Sequence, residues 1–170
     1  MQIETSRLTL IPLTYDQLLL YYREDPMLDK SLGLNPAARV VEPELKEALA
    51  ATIIPETAVA GSNRLFCTLW SAVLREEKRM VGDLCFIGPP DENGIIEIGY
   101  GTYPSERGKG YMTEAVGGLL DWAFLQEGVK SVWAGTLTNN PASWSILEKN
   151  GFSRYDIADD IIRWRKERRY

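Results

Sequence analysis

The sequence contains no histidine among its 170 residues. This absence excludes a Ser–His or Cys–His nucleophile pair and any histidine-ligated metal. Cysteine is also scarce: only Cys67 and Cys85 occur, and two thiols do not complete a zinc site by themselves. We therefore expect no metal. Both cysteines lie in strand-like runs, and we interpret them as buried, reduced thiols, with a cross-strand disulfide as the alternative.

Long apolar runs are missing too. No stretch approaches the ~20 residues that a membrane-spanning helix needs. The first ten residues, MQIETSRLTL, lack the charged start and apolar core of a signal peptide. We therefore expect a soluble, cytoplasmic protein with no membrane contact.

The charge balance is acidic, with a formal net charge of -5, which argues against nucleic acid as the main partner. The last eight residues, RWRKERRY, are basic instead. We interpret them as the solvated charges of an edge strand, with contact to phosphate or to an acidic partner as the alternative. A homodimer stays open beside a monomer.

The pattern of apolar residues predicts one domain over residues 1–170, of the α/β (α+β) class, in the order β-α-α-β-β-β-α-β-α-β-β. Antiparallel hairpins dominate the first half of the chain. A helix from about residue 112 then links the strand at 95–103 to the strand at 131–137, which makes this pair parallel. The expected sheet is therefore mixed and mostly antiparallel.

Several local signals refine this order. Thr14 opens a capping box ahead of the first helix. A second helix is predicted from Pro43 to Ile54, where Pro55 should end it. Residues 65–74 are predicted as a strand, and 25–42 as a loop. Two glycines inside the helix from 112, at 117–118, suggest close packing against another backbone.

A glycine-rich turn, Arg107-Gly108-Lys109-Gly110, follows the strand at 95–103 and precedes a helix. Converging N–H groups, a helix N-terminus and two cations suit a pyrophosphate. The spacing fits neither a Walker loop, which needs Ser or Thr after the lysine, nor the dinucleotide fingerprint, whose third glycine is replaced by Thr113. A turn in which the glycines serve only backbone geometry is the alternative.

Three separated stretches are similar to one enzyme family. EIGYGTYPSERGKGYMTEA and NNPASWSILEKNGF resemble the GCN5-related N-acetyltransferase (GNAT) superfamily, whose cofactor signature is Arg/Gln-x-x-Gly-x-Gly/Ala. Arg107 and Gly110 match it, whereas Met112 stands where the family prefers a small residue. The opening SRLTLIPLTYDQ narrows the resemblance to the branch that includes the ribosomal-protein N-terminal alanine and serine acetyltransferases. The resemblance covers essentially the whole chain.

This resemblance implies an N-acetyltransferase that moves an acetyl group directly from acetyl-CoA to a primary amine, either a protein or peptide N-terminus or a small molecule. In the family, the pantetheine arm pairs with the strand before the turn, which carries a bulge and splays from the next strand. The expected cofactor contacts are Gly101, Thr102, Tyr103, Arg107, Gly108, Lys109, Gly110, Tyr111, Met112, Thr113 and Asn140.

Two side chains are the candidates for proton transfer. Glu97 is the expected base, since it lies mid-strand between apolar neighbours that would raise its pKa. Glu114 is a weaker competitor, because a helix first turn already explains a carboxylate there. The resemblance implies Ser143 as the proton donor; Leu147 occupies the position where many family members carry a tyrosine.

The same stretches also bear on the oxyanion donor, on Asn140 and on the alternative functions of the protein. A backbone N–H at Tyr100 or Gly101 is expected to bind the oxyanion. Asn140 serves equally well as a helix N-cap and as a pantetheine contact. Neither cysteine has the positive surroundings of an acyl carrier, so we expect a ternary complex. Two alternatives remain: a non-catalytic acyl-CoA sensor, which Leu147 favours, and a nucleotide-binding interaction protein whose basic tail docks a partner.

Overall fold

The computed structural model describes residues 1–169, in which helices cover both faces of one eight-stranded sheet. The strands are β1 (Ile3–Glu4), β2 (Leu8–Pro12), β3 (Leu69–Leu74), β4 (Arg79–Phe86), β5 (Ile95–Thr102), β6 (Ser131–Leu137), β7 (Ser153–Ala158) and β8 (Ile161–Glu167). The helices are α1 (Tyr15–Tyr22), α2 (Met27–Ser31), α3 (Pro43–Ala48), α4 (Ile54–Val59), α5 (Arg64–Cys67), α6 (Tyr111–Leu125) and α7 (Pro141–Lys149). Short 3-10 turns lie at Gly61–Asn63 and Pro104–Glu106.

The sheet runs in the order β1-β2-β3-β4-β5-β6-β8-β7. Within the described residues its pairs are antiparallel except β5 with β6, which α6 connects as a crossover. The predicted fold class, a mixed and mostly antiparallel sheet in an α/β domain, is therefore confirmed. The short strand β1 was not predicted; it adds two residues to the edge beside β2.

Two hydrophobic cores lie on opposite faces of this sheet. One packs α6 and α7 against the sheet and includes Trp70, Phe86 and Leu119. The other lies under the segment from α1 to α4 and includes Leu18 and Leu49. All six residues of β3 are buried, since both faces of that strand are covered.

The predicted caps are confirmed. Thr14 Oγ1 accepts from the N–H of Gln17, and the Gln17 side chain accepts from the N–H of Thr14 in return. Asn140 caps α7 through a 3.2 Å bond from the Ser143 N–H. Gly151 follows the end of that helix with φ 79°, the left-handed conformation that ends many helices.

Two predictions in the first half are wrong. The second helix does not stop at Pro55: a π turn, Leu49–Ile53, joins α3 to α4, and Pro55 lies in the first turn of α4. The Ile54 N–H reaches back to the Leu49 carbonyl, and a new first turn needs no N–H from the proline. Residues 64–67 form α5 rather than the start of a strand, so β3 begins only at Leu69.

Three further expectations change in detail. Residues 27–31 of the predicted loop form α2. The close packing at Gly118 involves side chains, because a Cβ there would come within 2.6 Å of Thr5 Cγ2. The basic strand β8 is not an edge strand, since it pairs with β6 and β7, and β7 forms the edge. Tyr170, the last residue of the basic stretch, lies outside the described residues. No helix in residues 1–169 is long and apolar enough to span a bilayer.

Candidate active site

The two central parallel strands diverge halfway along their length. β5 runs to Thr102, but its pairing with β6 covers only Ile95 to Glu97. On its other side, β5 pairs with β4 from Ile98 to Thr102 without a shift of register, so the expected bulge in β5 is absent from that ladder. The expected splay is present, and it leaves one edge of β5 open.

Alternate residues of β5 direct their backbone groups to this open edge. The Glu97 carbonyl accepts from the N–H of Ile87, and the Tyr103 N–H donates to Val81, so odd-numbered residues pair with β4. Even-numbered residues in between, such as Tyr100, therefore present their N–H and C=O groups to the gap. Of the two N–H groups expected to bind an oxyanion, that of Tyr100 faces the gap and that of Gly101 faces β4.

The glycine-rich turn lies at one end of the gap and opens into a cavity of about 280 Å³. Gly110 is the N-cap of α6 with φ 78°, a conformation that glycine adopts without strain, and no side chain caps the helix. The Glu114 N–H bonds to the Gly110 carbonyl, so the preceding N–H groups of the first turn have no acceptor within the helix. An uncapped helix N-terminus facing a cavity is suited to an anion.

Two cations line this cavity, and only one of them was predicted. Arg107, before the helix, and Lys149, at the end of α7, both contribute to its walls. Lys109 does not, because its ammonium bonds to Glu106 at 3.0 Å. The Glu106 carboxylate also bonds to Arg79, and although partial burial opposes it, these hydrogen bonds hold the pKa of Glu106 below its ordinary value. Lys109 therefore fastens the turn and adds less charge to the cavity than expected.

The other predicted cofactor residues divide between backbone and side-chain positions. Thr102, Gly108, Gly110, Tyr111, Met112 and Thr113 line the cavity. The Met112 side chain is 3% exposed and packs in the core, so its size does not obstruct the turn. Gly101 lies on the other face, and the Tyr103 side chain is buried there.

Ser143 and Tyr100 meet beside the gap. Their hydroxyl oxygens are 2.8 Å apart, which joins α7 to β5. Burial raises the pKa of Tyr100 to about 12, although the bond to Ser143 opposes the shift. The phenol therefore stays protonated at neutral pH. Leu147 is fully buried in the core, whereas the Tyr100 hydroxyl contacts α7 one turn earlier, at Ser143.

A second cavity, of about 290 Å³, opens on the opposite face of β5. Val40, Leu45 and Leu69 form apolar walls, and Gly99 and Gly101 leave room on the strand. Two exposed glutamates, at 42 and 44, stand on the same side. Thr102 lines both cavities, so the two lie next to each other at the end of β5.

A buried carboxylate also lines the second cavity. Asp83, on β4, is 3% exposed and accepts hydrogen bonds from Tyr21 at 2.5 Å, Tyr103 at 2.8 Å and Ser71 at 3.0 Å. Burial raises the pKa of Asp83 to about 6, against the opposing effect of these bonds and of nearby Arg39.

The two glutamates weighed from the sequence lie in different surroundings. Glu97 is on the face of the second cavity, but its side chain is exposed and is not part of the lining, so the apolar enclosure expected for it is absent. Glu114 accepts from Thr5 at 2.6 Å and from Arg7 at 2.7 Å. Despite partial burial, these bonds lower its pKa, and the carboxylate ties the N-terminal strands to α6.

The cysteines are both free thiols. Burial raises the pKa of Cys67 and, with the charge of Asp83, raises that of Cys85 to about 11. A thiol held in its protonated form is a poor nucleophile, which agrees with the expectation that neither serves as an acyl carrier.

Sequence reasoning missed Asp83, Lys149 and the Tyr100 hydroxyl. Asp83 could have been found from the sequence, because a carboxylate inside the apolar strand run MVGDLCFI is costly to bury unless it is paired or hydrogen-bonded. Lys149 had a weaker signal: it follows Ala142, Ser145 and Ile146 at helical spacing, so all four share a face of α7. The hydroxyl contact had none, since it depends on how α7 packs against β5.

A splayed parallel pair, an uncapped helix N-terminus and a cavity on each side of one strand suit an anionic ligand on one side of β5 and a second molecule on the other. The sequence matches the acetyltransferase (GNAT) domain family over residues 7–153. It is 33% identical over 150 residues to the uncharacterized N-acetyltransferase YjdG of Bacillus subtilis (strain 168), covering 88% of each chain.

Solved structures agree with this match. The fold is similar to ribosomal-protein-S5-alanine acetyltransferase from Vibrio fischeri, with a TM-score of 0.69 at 17% identity over 99% of this chain and 97% of the other. It is also similar to spermidine N-acetyltransferase from Vibrio cholerae, solved with CoA and spermine, with a TM-score of 0.65 at 16% identity over 96% of each chain. The chain belongs to the GNAT family and is an N-acetyltransferase that transfers acetyl groups to amines.

Proposed function

We propose that the donor is acetyl-CoA and that the acetyl group passes directly to a primary amine at the open edge of β5. The observation that carries this proposal is that Thr102, at the end of β5, lines a cavity on each face of the strand. One cavity has the features of an anion site, and the other is apolar with acidic residues at its mouth. A donor bound in the first would present its thioester to an amine bound in the second.

The donor side is assigned from the turn outward. The pyrophosphate is bound by N–H groups at the start of α6, with Arg107 and Lys149 supplying charge. The pantetheine arm pairs with the even-numbered residues of β5. Asn140, whose side chain caps α7 through the Ser143 N–H, is assigned to the same arm on the family resemblance alone. The Tyr100 N–H binds the oxyanion that forms during transfer.

Proton transfer completes the reaction. The ammonium must lose a proton before its nitrogen can attack, and the departing thiolate gains one. For the second step we assign Ser143 together with Tyr100, whose hydroxyls already form a pair. For the first step the sequence predicts Glu97, on the acceptor face of β5.

The acceptor is a primary amine attached to an uncharged or apolar group. The apolar walls suit such a group, and the exposed glutamates at 42 and 44 attract an ammonium. A peptide N-terminus that begins with a small residue satisfies both conditions. A polyamine, the second candidate, is favoured by the acidic mouth alone.

Thermal unfolding with acetyl-CoA, CoA, ATP and NAD tests the donor. A ligand at ~100 times its Kd adds about 2.7 kcal/mol of stability, which raises Tm by several degrees. We expect this rise with acetyl-CoA and CoA alone. A rise only with ATP or NAD, or no rise at all, would contradict the assignment.

Three charge variants sharpen this test. Arg107→Ala and Lys149→Ala should each weaken acetyl-CoA binding about tenfold, because each removes a charge-assisted contact to phosphate. Lys109→Ala should weaken it less, since Glu106 already holds that ammonium. Equal losses in all three variants would mean that the cavity has been assigned to the wrong side of the turn. Release of free thiol, measured with an alanine-first peptide and with spermidine, then identifies the acceptor.

A further inference from the structure

The carboxylate of Asp83 accepts three hydrogen bonds and has one lone pair left for a fourth donor. An ionised carboxylate offers about four lone-pair sites. Tyr21 and Tyr103 both donate to Oδ2, whereas only Ser71 donates to Oδ1. One lone pair of Oδ1 therefore remains for a further donor, on a residue that lines the acceptor cavity.

The position of Asp83 along the sheet matches that of the proposed transfer. Asp83 is the Cα partner of Gly101, the residue after Tyr100, and glycine leaves no side chain between this carboxylate and the cavity. Paired residues of this kind have Cα atoms about 5.5 Å apart. Glu97 lies four residues earlier on β5, about 13 Å from Gly101 along the strand. It is also still within the paired part of β5 and β6.

We infer that Asp83, rather than Glu97, accepts the proton of the substrate ammonium. This inference rests on the proposed acetyl transfer at the open edge of β5. One N–H bond of the ammonium breaks and its proton passes to Oδ1; the freed lone pair forms the C–N bond with the thioester carbon. The nitrogen loses a second proton as the C–S bond breaks. This proton replaces the one that the hydroxyl pair gives to the thiolate, and the proton on Oδ1 then leaves for solvent, so that one proton in total is released.

The surroundings allow this carboxylate to exchange a proton near neutral pH. Its titratable and charged neighbours are Tyr21 from α1, Arg39 from the segment before α3, Cys85 on the same strand, Tyr103 after β5, and Glu42 and Glu44 across the cavity. Burial dominates among these effects, with Arg39 opposing it, and the pKa of Asp83 is raised to about 6. A base in that range is ionised at pH 7 and still basic enough to take a proton.

Asp83→Asn tests this role, with Asp121→Asn as a matched control on the exposed side of α6. We expect Asp83→Asn to keep the thermal shift with acetyl-CoA. With the better of the two acceptors, the alanine-first peptide or spermidine, it should lower kcat/KM at least 100-fold and remove the acidic limb of the pH profile near pH 6. With hydroxylamine, an acceptor largely neutral at pH 7, the same variant should lose less than tenfold. If Asp83 had only a structural role, Asp83→Asn would lower kcat/KM by the same factor with both acceptors. Wild-type kcat/KM in Asp83→Asn, or an equal loss with both acceptors, would overturn the inference.

Two more variants keep the test decisive if Asp83→Asn fails to fold. Ser71→Ala removes a hydrogen bond that lowers the pKa of Asp83, so the acidic limb should move to higher pH. Glu97→Gln should keep the acidic limb of the pH profile. If Glu97→Gln loses this limb and Ser71→Ala leaves it at the wild-type pH, the proton is accepted by Glu97 instead. A wild-type protein that binds acetyl-CoA but acetylates no amine would overturn the proposed function, and this inference with it.

Discussion

The hydroxyl pair of Tyr100 and Ser143 gives the sharpest separation of a structural from a catalytic role. The two oxygens are 2.8 Å apart, and both side chains are half-buried. A neutral hydrogen bond in such a position contributes about 0.5–1.5 kcal/mol to folding. Tyr100→Phe and Ser143→Ala should therefore each lower Tm by about 1–6 °C in a domain of this size.

The expected loss of rate is much larger than this loss of stability. A positioned proton donor contributes about 10²–10⁴-fold, so each variant should lower kcat at least 100-fold at saturating acetyl-CoA. Because the hydroxyls act as one unit, the double variant should be no slower than the slower single variant. Free-thiol release measures kcat, and the thermal shift with acetyl-CoA, which should persist, shows that binding is intact.

The raised pKa of Tyr100 also predicts how the rate depends on pH. Burial raises the pKa of Tyr100 to about 12, so the phenol keeps its proton through neutral and mildly alkaline pH, and this group should cause no alkaline loss of rate below pH 10. Tyr155→Phe, which removes an exposed hydroxyl on β7, is the matched control. Losses that multiply in the double variant, or a kcat within threefold of wild type in both singles, would refute the shared role.

Two further predictions follow from the structure. Gly101→Leu should fold, because a Cβ there meets no atom within 4 Å. It should raise the KM for the amine at least tenfold by filling the acceptor cavity. An unchanged KM, together with an intact thermal shift with acetyl-CoA, would place the acceptor elsewhere. Glu114→Gln should lower the free energy of unfolding by about 1.5–3 kcal/mol at pH 7, since it loses charge-assisted bonds to Arg7. The folded-state pKa of Glu114 is below its ordinary value of 4.5, so this stability is present above that value and is lost as pH falls through the folded-state pKa. A difference between the two denaturation curves that does not shrink as the pH is lowered below 4.5 would contradict the argument.

The second half of the fold was predictable because its signals are local. Asn140 and Gly151 mark the two ends of α7, and the alternating runs at 131–137, 153–158 and 161–167 match β6, β7 and β8. Each of these signals operates within a few residues, so no knowledge of packing was needed. The order of β8 between β6 and β7 was not available from such signals, because strand neighbours are chosen by the tertiary fold.

The errors and omissions lie where distant segments decide the outcome. A π turn continues the helix past Pro55, where the sequence predicted that it would end. Helix α5 forms at the start of the stretch that was predicted to be a strand from residue 65. The Asp83 cluster shows the same limit for the site, since Tyr21 is 62 positions away in the chain. Sequence spacing identified the turn that suits phosphate, whereas the opposing face of the same strand became visible only through its contacts.

The alternation of β5 gives the strand two different sides, one for each substrate of the proposed transfer. Even-numbered residues present their backbone to the open edge and their side chains to α6 and α7, as the Tyr100 contact with Ser143 shows. Odd-numbered residues bond to β4 and face the acceptor cavity, and two of them, Gly99 and Gly101, have no side chain to fill it. A shift of register by one residue would exchange the two sets. The division between donor and acceptor sides therefore depends on the β4–β5 register, which pairs Asp83 with Gly101 and so places a buried carboxylate across from the proposed site of attack.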